Sequence, residues 1–463
     1  MKQFTILTIF VLFAGTTLMA QSARSDYFMQ NSYTRSSMNP AFMPLQGYVG
    51  VPALSGLAVE SRTNSLYLDN FLFDKNGGKV TFLHPSVSSS EFLANMPDIS
   101  NFAVNMNYQP ISFGFFTRSG GFWNFSIGVK TVGDLNIPKP LFELAKKGFT
   151  SEDHEVSYPV RDLRMSVRLY SEITAGYART FLDNKLSVGA RAKLLVGAAY
   201  IDMNIESLDV TARKDRWTAR SKAYLKGSGI KAKYDENGLF ESVEDDLSGV
   251  GGFGLGLDLG AVYNVFDRAK VSLAITDLGF ISWNKSSSIN LKTPETLVTV
   301  YPGGESAMIE EDFDFKESFD SSIDDIKESI NFKGSSSNEG QVTTLYTTVN
   351  AGFEYEVLPG NLSAGLLSST YLGMKTETEL TLSANYNPAR LRWLSAALTY
   401  SFMYGRFNTC GIALHLAPSK VIHFFVAGDY MVPTISGQFL PVRSKAVNVQ
   451  FGFAIPIGKK RID

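Results

Sequence analysis

Cysteine is almost missing from this 463-residue chain: Cys410 stands alone, so no intramolecular disulfide can staple the fold. Charge is sparse, 19% against the usual quarter, and a formal net charge of −2 leaves no basic footprint for nucleic acid. No stretch reaches 18 consecutive apolar residues, which excludes a spanning helix. The four histidines, His84, His154, His415 and His423, are too scattered for a His-Glu-x-x-His metal site. An acidic run holds Asp312, Asp314, Asp320, Asp324 and Asp325 but lacks the sixth-position glycine of a calcium loop. Glycines crowd Gly251-Gly252-Phe253-Gly254-Leu255-Gly256, yet they keep a strand period and no helix follows to cradle a phosphate. Neither a cofactor nor a catalytic residue is expected. The glycine run is expected to let an inserted backbone approach a wall.

What the chain does have is long alternation. Odd positions from Met165 to Tyr177 read Met, Val, Leu, Ser, Ile, Ala, Tyr, while the even ones include Arg164, Arg168 and Glu172. After Phe181-Leu182-Asp183-Asn184 the period returns. Leu186, Val188, Ala190, Ala192, Leu194, Val196, Ala198 and Tyr200 fall on one side, and Ser187, Gly189, Arg191 and Lys193 on the other. Only a strand sends successive side chains to opposite faces, so this is a hairpin. Its strands exceed the roughly 5 to 6 residues common in soluble sheets and reach the roughly 9 to 11 needed to cross a bilayer. The apolar side then faces lipid and the charged side a lumen.

The N-terminus supplies an address. Lys2, an apolar run from Phe4 to Ala14 and Ala20 before Gln21 read as a secretory signal peptide over residues 1–20, cleaved after Ala20. An exported chain with long alternating strands belongs in the outer membrane of a Gram-negative bacterium. Residues 21–45 have no strand period and read as an N-terminal segment folded back into the lumen. A loose leader is the alternative. Residues 46–463 are the barrel.

Both ends of such a barrel lie on the periplasmic side, so the strand number is even. Short turns of Gly, Pro, Asn and Asp sit at Arg118 to Gly121, Phe181 to Asn184, Phe266 to Ala269, Leu358 to Gly360, Asn387 to Arg390 and Ala417 to Ser419. Seven other connections fall between them, four of them long, which gives about fourteen antiparallel strands in a closed all-β barrel. Gln109-Pro110 interrupts the second strand's phase and predicts a bulge, because proline cannot donate to the ladder. Tyr177, Tyr263, Tyr355 and Tyr386 precede short turns, where an aromatic girdle belongs. Leu345 and Thr347 alternate with Tyr346 and Thr348 as one continuous strand.

Two outer loops stand out. Residues 207–248 are basic, with Arg213, Lys214, Arg216, Arg220, Lys222, Lys226, Lys231 and Lys233, and read as a hairpin above the membrane. Residues 284–340 are acidic, and Phe315, Phe319, Ile323, Ile326 and Ile330 recur at helical spacing. These loops either pair with one another over the pore or bind lipopolysaccharide phosphates or a protein partner. Inside, the expected lumen-lining set is Lys130, Arg164, Arg168, Glu172, Arg191, Lys193, Asp258, Glu354, Glu356, Glu377, Glu379 and His423, with His415 and Asp429 beside them. Most of its bases come from the third to fifth strands and most of its acids from the eighth to tenth. That separation predicts a transverse field.

Arg35 to Ala41, with Asn39-Pro40-Ala41 just after the signal peptide, resembles the hatch of long-chain fatty-acid transporters, fourteen-stranded barrels with an N-terminal segment tucked inside. Thr276-Asp277-Leu278-Gly279-Phe280-Ile281-Ser282-Trp283 is similar to a segment in barrel proteins of the type IX secretion system and in a large family of uncharacterised Gram-negative outer-membrane proteins. That last family is the best match and covers most of the chain. The resemblance implies a hatch at Arg35, Asn39, Pro40 and Ala41. The chain departs from the pattern at its end, Gly458-Lys459-Lys460-Arg461-Ile462-Asp463, where a terminal aromatic is common; Phe451 or Phe453 then has to serve assembly. Nor do the outer loops show a greasy groove for a fatty acid. The leading expectation is transport of a small hydrophobic or amphipathic solute, gated by the N-terminal segment. A docking platform is the second reading and an outer-membrane hydrolase the third, against which stands the lack of a nucleophile and base.

Overall fold

The computed structural model describes residues 23–458 apart from 76, 148–155, 213–215, 235–239, 244–248, 294–297, 303–332, 336–339, 389, 392, 404–405, 418–421 and 432–445. Fourteen wall strands form a closed antiparallel transmembrane barrel. They are β1 (Gly47–Gly50, resuming as Gly56–Thr63), β2 (Ile99–Phe116), β3 (Phe122–Pro138), β4 (Val156–Phe181), β5 (Leu186–Ala212), β6 (Gly252–Phe266) and β7 (Ala269–Trp283). The ring continues with β8 (Gln341–Thr344, resuming as Thr347–Leu358), β9 (Leu362–Leu372), β10 (Thr376–Tyr386), β11 (Leu394–Met403), β12 (Arg406–Leu416), β13 (His423–Met431) and β14 (Ala446–Ile457). Each strand pairs with the next in sequence, and β14 returns to β1, with Gly47 opposite Ile457 and Leu57 opposite Phe451. Closure joins the last wall strand to the first, so the described wall strands present no free edge.

Alternation fixes which face meets lipid. Phe253, Leu255, Leu257 and Leu259 of β6 point out and are exposed, while Asp258 between them is fully buried. The same holds for Leu380 and Leu382 against Thr381 on β10, and for Ile173 against Glu172 and Thr174 on β4. An apolar belt outside and polar side chains inside are what a bilayer demands. Six short connections gather at one end of the barrel; the β4–β5 turn holds Leu182, Asp183 and Asn184 at positive φ. Tyr263, Tyr355 and Tyr386 are exposed at that same end, and Tyr177 packs on Trp123 with ring centroids 4.8 Å apart.

Strict alternation fails at a few positions, where an extra residue enters the ladder or the strand itself breaks or kinks. The expected slip at Gln109-Pro110 is present between Tyr108 and Ile111, where β1 also breaks and Ala53 donates to the Pro110 carbonyl. Others correct the sequence expectation. A slip opposite Leu169 and Tyr170 turns Tyr200 from the lipid face to the inside, where its ring packs at a tilt on Trp283, centroids 4.6 Å apart. A break between Thr344 and Thr347 likewise turns Leu345 inward, against Tyr170, Leu195, Ile281 and Trp283. Asp162 takes φ 59°, and next to this kink Leu163 is buried and Arg164 exposed, the reverse of the expected alternation. Asp277, at φ 58°, shares with Thr276 the place opposite Asp258, and both turn inward.

Beyond the belt, at the long-loop end, β4 and β5 run on and recruit a strand at Arg216–Ser228, which pairs in turn with Ser288–Lys292 and Val298–Pro302. The basic connection and the start of the acidic one therefore pair with each other through backbone bonds. Beneath this raised sheet Leu208, Val210, Leu225 and Leu291 pack with Leu144 of helix α2 (Lys139–Lys147). The first outer loop packs Phe82 and Phe92 of helix α1 (Ser89–Leu93) against Phe142. Residues 1–20, expected to be a signal peptide, and the expected acidic helix lie outside the described residues.

Candidate functional site

The N-terminal segment, residues 23–46, lies inside the barrel because its partners surround it. Backbone N–H groups of Ala23 and of Arg24 and Ser25 donate to Gln450 of β14 and Asp429 of β13. The Arg24 guanidinium meets Glu379 of β10 at 3.2 Å and Glu60 of β1 at 3.9 Å. Asn31 donates to Ser395 of β11 at 2.6 Å, Arg191 of β5 to the Ser36 carbonyl at 2.9 Å, and Asn350 of β8 to the Met38 carbonyl at 3.0 Å. Asn39 reaches the Ala261 carbonyl of β6 at 3.4 Å and the Leu273 carbonyl of β7 at 3.5 Å. Nine strands spaced round the ring can touch one short segment only from within.

The segment also has a core of its own. Two single turns, Arg24–Asp26 and Thr34–Ser37, are tied together by Thr34 donating to Asp26 at 2.6 Å. Tyr27, Phe28, Met38 and Phe42 cluster, and Arg35 lies over the Phe42 ring at 4.4 Å. In Asn39-Pro40-Ala41 the Asn39 side chain accepts from the Ala41 N–H at 2.9 Å, a local turn that presses the chain against the wall. Gly189 and Gly260 make room for it. A Cβ at Gly189 would overlap the Pro40 carbonyl, and one at Gly260 the Asn39 side chain. The sequence's Gly251–Gly256 run does not serve this purpose: Gly252 and Gly254 face the backbone of β7 instead.

Beside the segment is a buried ionic cluster built on the β7 bulge. Lys193 contacts Asp258 and Asp277, each at 2.7 Å, and Lys130 contacts Asp277 at 3.0 Å and Glu172 at 3.3 Å. The Asp277 N–H donates to Asp258 at 2.7 Å. Its inward turn is thus held by both its backbone and its carboxylate. Charges this deep persist only when paired, and here three carboxylates meet two ammonium groups. The Arg191 guanidinium adds a third cation 3.8 Å from Asp258 while holding Ser36.

Of the expected lumen residues, Glu172, Arg191, Lys193, Asp258, Glu354 and Glu379 are buried inside. Glu377 meets Arg62 at 3.2 Å, Glu356 meets Lys270 at 3.5 Å, and Glu354 accepts from Ser363 at 2.7 Å. Arg168 lies over Tyr346 at 4.2 Å and donates to the Thr344 carbonyl. His423 faces His415 edge-on, ring centroids 5.2 Å apart. Arg164, by contrast, is exposed and bonded to Asp162. The transverse field does not survive: several acids of β8–β10 are met by Arg24, Arg62 and Lys270, and most bases of β3–β5 have local carboxylates. Reading strict alternation missed Asp277. Its signal was present, since the outward apolar positions change from Val271, Leu273 and Ile275 to Leu278 and Phe280.

A cavity of ≈ 80 Å³ lies on the long-loop side of the segment, floored by Arg24, Ser37 and Met38 and walled in part by Asn105, Lys130 and Tyr371. Among the described residues no group of His, Cys, Asp and Glu is arranged to hold a metal ion.

A model of a family of unknown function (DUF5723) matches residues 40–429. No curated protein sequence matches the chain. Solved structures similar to it include the Pseudomonas putida toluene transporter TodX, 8% identical, with a TM-score of 0.40 and covering 96% of this chain and 97% of that one. A Pseudomonas aeruginosa FadL homologue is 9% identical, with a TM-score of 0.39 and coverage of 95% and 99%. The CymD monoaromatic hydrocarbon channel is 11% identical, with a TM-score of 0.34 and coverage of 96% of each chain. Likenesses this distant carry no solute from those proteins to this one.

Proposed function

The chain belongs to the family of unknown function DUF5723, and from its geometry we propose that it is an outer-membrane channel for small amphipathic solutes, held shut by residues 23–46. The observation that carries this reading is the segment's ring of contacts, from Gln450 and Asp429 round to Arg191 and Asn350. A segment that served only to brace the wall would not need to span the bore. Apart from the buried pairing of Arg24 with Glu379 and Glu60, several of its bonds run to single side chains or single carbonyls, each of modest net strength, and none of them belongs to the backbone ladder of the wall. The cavity beyond it mixes amides and charges with Met38, Met106 and Val132, which suits a solute with both polar and apolar parts.

A covalent lock tests the gate. Asn31→Cys with Ser395→Cys joins segment to wall where the native side chains stand 2.6 Å apart. Flux of a small solute into vesicles is expected to stop in the oxidised double variant and return on reduction. Equal flux in both states refutes gating.

The second reading, a docking platform, is favoured by the raised sheet formed from Arg216–Ser228 and its neighbours. Loss of a stoichiometric partner on deleting residues 212–233 would support it.

A further inference from the structure

The charges around the cavity are matched among themselves. Lys130 has two carboxylates, Lys193 two, and Arg24 two, while Arg191 is engaged by Ser36 and Asp258. An ion entering here must break one of these pairs in a place where a stranded charge is costly. What the walls leave open is amide and hydroxyl, together with one atom each of Glu172 and Arg191, whose charges are already met by Lys130 and Asp258. Asn105, 5% exposed, has no partner for its amide nitrogen, and neither the Asn107 amide oxygen nor the Tyr371 hydroxyl has a hydrogen bond. One oxygen of Glu172 is also without a hydrogen-bonded donor, though it sits 3.3 Å from the Lys130 ammonium, and Nε of Arg191 has no hydrogen bond although another nitrogen of that guanidinium lies 3.8 Å from Asp258. All five residues line the same cavity.

Buried polar atoms are almost always satisfied by protein, water or ligand. Two donors, two acceptors and one hydroxyl that can act as either, lining a common space, match a molecule carrying several hydroxyls, each able to donate and accept. The space is small. At roughly 10–15 Å³ for each water it holds on the order of five to eight such positions, enough for a short run of hydroxylated carbons with its C–H edge on Met38, Met106 and Val132.

We propose that this cavity binds a neutral polyhydroxylated group, either a free sugar alcohol or the terminal ring of a saccharide, and selects it over charged groups of equal size. Resting on the channel reading, this names the polar part of the solute. Binding itself does not require the gate to move.

The test is equilibrium binding to the full-length barrel in nanodiscs, with xylitol, methyl glucoside and maltotriose as neutral probes and xylonate and glucosamine as charged ones. Xylitol and methyl glucoside are expected to bind at least tenfold more tightly than either charged probe. Maltotriose separates the sources: affinity equal to or above that of methyl glucoside indicates a saccharide end, and weaker affinity a free polyol. Asn105→Leu with Asn107→Leu is expected to lower xylitol affinity at least tenfold. Should that double variant fail to fold, Tyr371→Phe, which removes one hydroxyl, is expected to weaken binding several-fold. Undetectable xylitol and methyl glucoside binding, charged probes binding as well as neutral ones, or unchanged affinity in the folded variants overturns the proposal. Repeating the titration on the oxidised Asn31→Cys, Ser395→Cys lock distinguishes the two claims: retained binding with unaltered flux sinks gating alone, and absent binding with lock-sensitive flux sinks the ligand class alone.

Discussion

Asp277 concentrates the residue-scale logic of the fold. A left-handed backbone at φ 58° is uncommon for a residue with a side chain, and it is held here by a hydrogen bond to Asp258 and two lysines. Asp277→Asn removes the charge they share, and Lys193, 4% exposed, keeps only Asp258. Breaking a buried pair typically costs about 3–5 kcal/mol. Equilibrium urea unfolding from lipid vesicles should show a loss near the lower end of that range, because each lysine retains one carboxylate. Gly189→Val probes the segment's seat instead. Its Cβ would overlap the Pro40 carbonyl, and overpacking of this kind typically costs about 1–3 kcal/mol. The wall pairs through its backbone, so the segment should yield first. Faster tryptic cleavage after Arg35, with the barrel still heat-modifiable, is the expected result.

At the scale of elements, the hairpins were legible because one simple rule governs them. Side chains on β6 and β14 must alternate between oil and lumen, and Phe253, Leu255 and Leu257 against Gly254, Gly256 and Asp258 say so directly. The turns were legible for a different reason: Asp183, Asn184 and Gly360 suit the positive φ that short turns require, and Pro359 pre-sets the negative φ before Gly360. Tyr200 and Leu345 were misplaced because one inserted residue, or one short break in a strand, reverses the side chains beyond it, and periodicity averaged over a strand hides so local an event. The ionic partners were beyond reach. Lys130 and Asp277 lie 147 residues apart, and nothing in local pattern specifies which lysine meets which carboxylate. Arg24 was absent from the expected site although it contacts Glu379 and Glu60, since a segment without period gives no face to read. The raised sheet should behave as a unit separable from the wall. Leu225→Asp places a charge against Leu208, Val210 and Leu291, with a large penalty for an unpaired buried carboxylate. Protease should then cut within 205–230 while the membrane-embedded strands remain protected; loss of the whole barrel would contradict that independence.

The whole molecule is defined by an outer belt of oil and an inner wall of paired charge and amides. Leu259, 45% exposed, sits in the middle of β6 on the lipid side. Leu259→Arg should lower folding stability in vesicles by about 2–4 kcal/mol, whereas a soluble fold would tolerate an exposed arginine there. The same architecture makes the lumen expensive to leave empty, with Glu379, Asp429 and Gln450 all satisfied by the first residues of the segment. The most direct measurement of the central claim is therefore the conductance of single barrels in planar bilayers, with residues 23–45 present and deleted. The intact chain should give no stable open level, and the deleted one discrete steps that persist at low voltage. Matching records from the two proteins, whether both silent or both conducting, would contradict a lumen closed by its own N-terminus.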